Sequence, residues 1–302
     1  MSGRPGSGRG GALGVDRRGA DTTGVGPGDL HGVLRERLLA ARWSDGGFGP
    51  RAGQPSEPEP TALAALALDD DRARTWLERR QWEDGGFGLR IPGDLSDAAT
   101  PVAALALPAG PARERALDHL LANRAERVPD TPALPHDPHL AGWGWTPHTF
   151  GWVEPTARAV LALRLLRPQA AGAIEEGVAL LEDRECVGGG WNYGNRIVLG
   201  EELPAYAQTT AVALLGLQGL DRPAVRRGRE ALRRLWPAER GGLSLALALA
   251  AFRLWGDPEA ERVAGVLGER FRATGFLGDL VAMAWAAIAT GDGLDRIRVG
   301  GS

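Results

Sequence analysis

The sequence predicts an all-α fold in which one ring of helices is nested inside another. Two observations carry this. A glycine-rich segment centred on an aromatic residue recurs along the chain, and repeated sequence implies repeated structure. Each copy leads into a short run of small apolar residues, and these runs alternate with amphipathic stretches. The pattern fills nearly all of the 302 residues, which favours one domain.

Residues 1–28 are mainly Gly, Arg, Ser and Asp and hold too few apolar groups to offset ordering entropy, so a disordered tail is expected there. Arg17-Arg18 lacks the apolar stretch that an export signal needs. The repeat domain is expected over 29–292, with a short tail over 293–302.

The repeat has a fixed spacing. Trp43-Ser44-Asp45-Gly46-Gly47-Phe48-Gly49 is followed by Thr61, 13 residues after Phe48. Gln81-Trp82-Glu83-Asp84-Gly85-Gly86-Phe87-Gly88 is followed by Thr100, and Gly142-Trp143-Gly144 by Thr156, at the same distance of 13. A looser copy, Gly189-Gly190-Trp191, precedes Thr209-Thr210. Trp43, Trp82, Trp143 and Trp191 are read as staples between the two rings.

Amphipathic helices are expected over 30–42, 70–82, 111–127, 168–185, 222–235 and 258–272. Leu34, Leu38 and Leu39 illustrate their single apolar stripe. Apolar helices are expected over 61–68, 100–107, 156–166, 210–217, 244–254 and 280–290. A helix apolar all round must be buried on most sides. Pro60, Pro101 and Pro155 suit a first helical position, and the adjacent Thr residues suit capping. An inner barrel of apolar helices sheathed by amphipathic ones buries these faces economically. An open solenoid of helix pairs is the alternative and would need capping units at its ends.

Net charge is −3, so nothing draws the chain strongly to nucleic acid or to an anionic membrane. No apolar run approaches the ~18 residues of a membrane span. The single Cys186 cannot form an internal disulfide. A cytoplasmic protein is the resulting expectation.

Gln81-Trp82-Glu83-Asp84-Gly85-Gly86-Phe87-Gly88 resembles the QW motif of the squalene-hopene cyclase and protein prenyltransferase β-subunit superfamily, and Cys186-Val187-Gly188-Gly189-Gly190-Trp191-Asn192 resembles a variant of it. The resemblance covers roughly residues 30–290. It implies an (α/α)6 toroid with a central apolar cavity that takes an isoprenoid chain. The cyclases' Asp-x-Asp-Asp acid motif is absent; Glu57-Pro58-Glu59-Pro60 and Trp152-Val153-Glu154-Pro155 stand at its offset. The resemblance therefore places Glu59 and Glu154 in the acid's slot. Asp69-Asp70-Asp71 lies at the far end of the inner helix. No Asp-x-Cys matches the prenyltransferase zinc site, so neither metal nor cofactor is expected.

Inner helices of a toroid run the same way, so their N-termini crowd one rim, with free N–H groups and partial positive charge. Glu57, Glu59, Asp94, Asp97, Glu154, Tyr206, Gln208 and Asp279 fall at such ends. They read either as caps or as a polar rim, with Glu154 or Glu59 as general acid. Trp145, Phe150 and Trp152 break the repeat and offer aromatic faces to a substrate, or else plug the barrel mouth. Tyr193 and Arg196 lie in Asn192-Tyr193-Gly194-Asn195-Arg196, which either grips an anionic group or is simply a turn. His136, Asp137, His139 and His148 read as a surface loop, and Cys186 as a small buried hydrophobe. The expected function is binding, with or without turnover, of an apolar isoprenoid-like molecule; the alternative is a non-catalytic carrier or interaction scaffold.

Overall fold

The computed structural model describes residues 30–88, 98–129 and 135–300; the expected N-terminal tail and the rim candidates Asp94 and Asp97 lie outside the described residues. The inner helices are α2 (Pro58–Leu68), α4 (Thr100–Ala106), α6 (Val153–Leu166), α8 (Ala207–Gly216), α10 (Gly242–Leu254) and α12 (Leu280–Thr290). Each packs on the next in chain order, and α12 returns to α2. The outer helices are α1 (Leu30–Ala40), α3 (Asp71–Arg80), α5 (Pro111–Ala122), α7 (Ala171–Asp183), α9 (Pro223–Leu235) and α11 (Glu259–Thr274). The last five each cover the inner helix that precedes them, and α1 covers α12. The chain is an all-α toroid, and the open solenoid is ruled out by the α12–α2 contact. The only strands among the described residues are a two-residue antiparallel pair, Ile197–Val198 with Glu201–Glu202.

Small side chains let the inner helices approach closely. Gly216 of α8 faces the backbone of Ala157 on α6, where a Cβ would stand 2.6 Å from the Ala157 carbonyl oxygen. Alanine and leucine fill the remaining faces, and α2, α8, α10 and α12 are buried along nearly their whole length. Burial of this kind stabilises by roughly 25 cal/mol per Å² of apolar surface.

The 13-residue spacing has a single physical cause. The Thr61 hydroxyl accepts from the Phe48 N–H (2.9 Å) and donates to the Phe48 carbonyl (3.1 Å). Thr100 does the same for Phe87, Thr156 for Trp143 and Thr210 for Trp191. A hydroxyl both donates and accepts, so it satisfies the N–H of a buried residue and adds a bond to its carbonyl, which for Phe48, Trp143 and Trp191 also accepts from the N–H of Glu57, Trp152 and Tyr206. The threonines therefore tie the turn to the inner helix rather than cap it. For that reason α2, α6 and α8 begin three residues before Thr61, Thr156 and Thr210, and Glu59, Glu154 and Gln208 lie inside the first turn.

The equivalent buried aromatics are Phe48, Phe87, Trp143 and Trp191. Trp43 and Trp82 instead open their turns, as Cys186 does in the fourth copy: each donates its N–H to the carbonyl of the residue four positions on (2.9–3.0 Å). Trp43 is exposed and Trp82 half-buried, so these two do not occupy the buried position that bridges the rings. Trp143 and Trp191 do, through indole bonds to the carbonyls of Leu120 and Leu181.

Residues beyond 292, expected as a tail, pack as a 3-10 segment, Asp292–Ile297, against α2 and α12. Arg296 donates to the Leu66 carbonyl (2.9 Å). Gln218 donates to the Ile297 carbonyl (2.9 Å) and accepts from the Val299 N–H (3.1 Å). Ile297 is buried against the C-terminal ends of the inner helices and floors the barrel.

Candidate site at the N-terminal rim

The barrel lumen is nearly filled. Its cavity has a volume of ≈ 20 Å³, between walls that include Leu66, Val102, Leu161, Val212 and Trp285, with Arg158 at one end and Ile297 at the other. That volume suits about one water molecule and admits no isoprenoid chain. The expected central apolar cavity is corrected accordingly. Large side chains at the lumen-facing positions, and an arginine among them, close what the repeat pattern left open.

Arg158 is the centre of the rim. It lies one turn after Glu154 on α6, and its side chain is only 10% exposed. Its Nη2 donates to Glu154 Oε1 at 2.6 Å. Its Nη1 lies 2.8 Å from Glu59 Oε1 on α2, close enough for an ion pair though poorly directed for a hydrogen bond. Burial works against the charge on Arg158, but the two carboxylates outweigh it and raise the guanidinium pKa above its ordinary value. The structure thus brings the two sequence-predicted acids, Glu59 and Glu154, onto one arginine. Both carboxyl groups are thus occupied by one guanidinium at the barrel mouth.

The other rim residues sort by environment. Asp279 is a cap, accepting from the Ala282 N–H at 2.7 Å. Glu57 occupies the N-cap of α2 without a side-chain cap bond. Burial, and secondly the charge of Glu59, raise its pKa above the ordinary glutamate value. It borders a groove of ≈ 780 Å³ lined also by Trp76 and Trp82. Tyr206 precedes α8, and Gln208 is half-buried in its first turn.

Four of the predicted aromatics and neighbours form two pairs beside Glu154. Phe150 and Trp152 have ring centroids 4.8 Å apart, and Tyr193 and Tyr206 5.5 Å apart. The Val153 N–H donates to the Tyr193 carbonyl (3.1 Å), which joins the pairs. Phe150, Tyr193 and Tyr206 are 42%, 55% and 42% exposed, so the faces are open rather than packed as a plug. Trp145 is half-buried in the turn ahead of them.

Arg196 lies in the same turn as Tyr193. Its Nη2 donates to the Pro135 carbonyl (3.0 Å) and holds the third turn to the fourth. Asn192 shapes that turn, accepting from the Gly194 N–H (2.9 Å) and donating to the Asn195 carbonyl (3.0 Å). His148 pairs with Glu126, burial lowers the His136 pKa, and burial raises that of the Cys186 thiol. Among the described residues no group of three or more His, Cys, Asp or Glu is placed to hold a metal, and no helix is long and apolar enough to cross a membrane.

No protein-family model matches the chain, and no curated protein matches it in sequence. Solved structures match its fold. The GH76A alpha-1,6-mannanase from Salegentibacter aligns over 88% of this chain and 98% of its own, at 11% identity and a TM-score of 0.56. An inactive variant of that enzyme in complex with alpha-1,6-mannotriose aligns at 10% identity and 0.57. A protein from Actinoplanes aligns over 90% of this chain and 99% of its own, at 17% and 0.56. A Salmonella alpha-2-macroglobulin aligns at 16% and 0.50; the chain covers 18% of it. These likenesses show an α/α toroid-type fold.

Neither a squalene-hopene cyclase nor a prenyltransferase is among these structures. With a lumen of ≈ 20 Å³ and mannanase folds among the matches, the isoprenoid or apolar-ligand function expected from the repeat and its apolar small-molecule partner are overturned; of the resemblance, the toroid is shown. The QW-like repeat ties each turn to its inner helix through the threonine bonds.

Proposed function

We propose that the chain binds an oligosaccharide across the N-terminal rim of an (α/α)6 toroid and acts on its glycosidic bonds. The observation that supports this reading most is the juxtaposition of the open Phe150–Trp152 and Tyr193–Tyr206 faces with the Glu154–Arg158–Glu59 cluster. Sugar rings present apolar C–H faces to aromatic side chains and hydroxyls to carboxylates and guanidinium groups. Glycoside cleavage needs two carboxyl groups in different protonation states beside the bond, and this rim holds Glu57, Glu59 and Glu154 in unlike surroundings. The mannanase likeness, at 10–12% identity, supports the scaffold as one that accommodates such a site.

The test is titration of the full chain with α-1,6-mannotriose, maltotriose and cellotriose, followed by tryptophan fluorescence and by NMR of the sugar. One trisaccharide is expected to bind with a Kd in the micromolar to millimolar range. Trp152→Ala is expected to weaken it at least tenfold without lowering the melting temperature by more than a few degrees. No change in the sugar signals for any trisaccharide at millimolar concentration refutes the reading.

A further inference from the structure

Glu57 differs from the other rim carboxylates. Glu59 and Glu154 are engaged by Arg158, and Asp279 is engaged by its own helix. Glu57 has no cap bond, and no ion pair involves it among the described residues. It sits where the ≈ 780 Å³ groove, bordered by Trp76 and Trp82, meets the start of α2. Two residues further on, Glu59 turns to Arg158. Glu57 thus stands at the edge of the groove, two residues ahead of Glu59, which shares Arg158 with Glu154.

We propose that this groove holds the leaving half of a cleaved saccharide and that Glu57 is the acid that protonates the departing glycosidic oxygen; the proposal rests on the glycoside reading above. In the step, the Glu57 carboxyl proton passes to the glycosidic oxygen. The bond from that oxygen to the anomeric carbon breaks, and its electron pair stays on the leaving oxygen. A water molecule bonds to the anomeric carbon and gives a proton to the Glu59 carboxylate. The sum is one glycoside plus one water giving one hemiacetal, the new reducing end, and one alcohol, the leaving half. Glu57 is left ionised and Glu59 protonated, and solvent returns the proton.

The surroundings suit these opposite roles. Glu57 is partly buried and faces the charge of Glu59, and both effects favour its protonated form. The charged groups that share the groove are Arg79 and Arg80 from the end of α3, and Glu83 and Asp84 from the turn beyond it. Arg80 lies over the Trp76 ring, 5.3 Å from its centroid, and Asp84 faces His119 at 3.5 Å. Glu59, with Oε1 2.8 Å from Arg158 Nη1, is the carboxylate that takes the proton from water in this step.

The experiment compares wild type, Glu57→Gln and Glu57→Asp on α-1,6-mannotriose and on 2,4-dinitrophenyl α-mannoside. The second leaves without needing a proton. General acid catalysis contributes typically 10²–10⁴-fold. Glu57→Gln is expected to lower kcat on mannotriose by about that factor, to change its Kd by less than threefold, and to lower kcat on the dinitrophenyl glycoside by less than tenfold. The alkaline limb of the mannotriose pH profile should disappear with it, and Glu57→Asp should restore part of the rate. Equal loss on both substrates, or an unchanged alkaline limb, overturns the acid role. A wild type that binds mannotriose and cleaves neither substrate also overturns it while leaving saccharide binding intact. A wild type that binds no saccharide overturns both.

Discussion

Replacing Arg158 with methionine tests the rim directly. The change keeps most of the apolar stem and removes the guanidinium, leaving Glu154 and Glu59 facing each other without their shared cation. Glu154 is 8% exposed and Glu59 31%. Removing one partner of a buried ion pair typically costs about 3–5 kcal/mol. The Glu59 arm reaches solvent and is discounted, so the expected loss at pH 7 is about 3 kcal/mol, a fall in melting temperature of roughly 5–10 °C for a chain of this size. In the variant the orphaned carboxylates are harder to ionise folded than unfolded. The folded state then binds protons more tightly, and its deficit against wild type should shrink as pH falls from 7 to 5. Urea denaturation followed by circular dichroism at both pH values measures this. Adding Glu59→Gln and Glu154→Gln to the methionine variant should recover more than half the loss. A single variant within 1 kcal/mol of wild type, or a deficit that grows on acidification, refutes the buried ion cluster.

Thr156→Val removes a hydroxyl at constant shape and leaves the Trp143 N–H without its partner, while the Trp143 carbonyl keeps the Trp152 N–H (3.0 Å). One buried unsatisfied group should cost about 2 kcal/mol by urea denaturation, and Thr156→Ser should cost less than half of that. Ile297→Ala, at the floor of the barrel, should cost about 3 kcal/mol with no change in saccharide binding at the opposite rim, read by calorimetry. Glu176 is opposed by burial but held below its ordinary pKa of 4.5 by the Ala141 N–H and by Arg127 and Arg124. Its stabilisation is therefore fully present above that value and lost as pH falls through the lowered one. Glu176→Gln should lower stability by about 1 kcal/mol at pH 7, and the difference should vanish in melts taken towards pH 3.

The fold was largely legible because its rule is local. Alternating apolar and amphipathic runs mark inner and outer helices, and each expected helix is found. The starts of α2, α6 and α8 were misplaced because Thr at a helix head reads as a cap. Its true partner is a backbone 13 residues away, or 19 in the fourth copy. The staple aromatics were misread for a similar reason. Trp43 and Trp82 stand out by residue type, yet the bonded position belongs to Phe48 and Phe87, which the 13-residue count already marked. Arg158 was missed altogether. It had a signal: a charge inside an otherwise apolar inner-helix run, four residues after Glu154, where an i, i+4 pair falls on one face. The closing of the lumen by Ile297 was not legible, since a glycine-rich tail gives no sign of where it will dock.

These corrections bear on function. A toroid with an open lumen can hold a ligand inside it; one floored by Ile297 and closed above by Arg158 leaves its rims for that. The rim with Arg158 is the more telling, because a buried arginine between two carboxylates is a poor way to fill a barrel mouth. Hydrophobic side chains of similar volume would stabilise the closed end as well or better, and the rest of the inner ring shows that such side chains fit. Closure alone therefore does not explain the cluster. What it achieves beyond closure is to fix Glu59 and Glu154 on one cation at the mouth, with the exposed aromatic residues next to Glu154 in the chain and the partly buried Glu57 next to Glu59. A site that must keep one carboxyl ionised and its neighbour protonated needs such a fixed cation near the first and not the second. Moving the positive charge is the sharpest way to separate the two roles. Glu57→Lys would bring a cation to the wrong side, and it should abolish turnover of α-1,6-mannotriose while costing less stability than Arg158→Met.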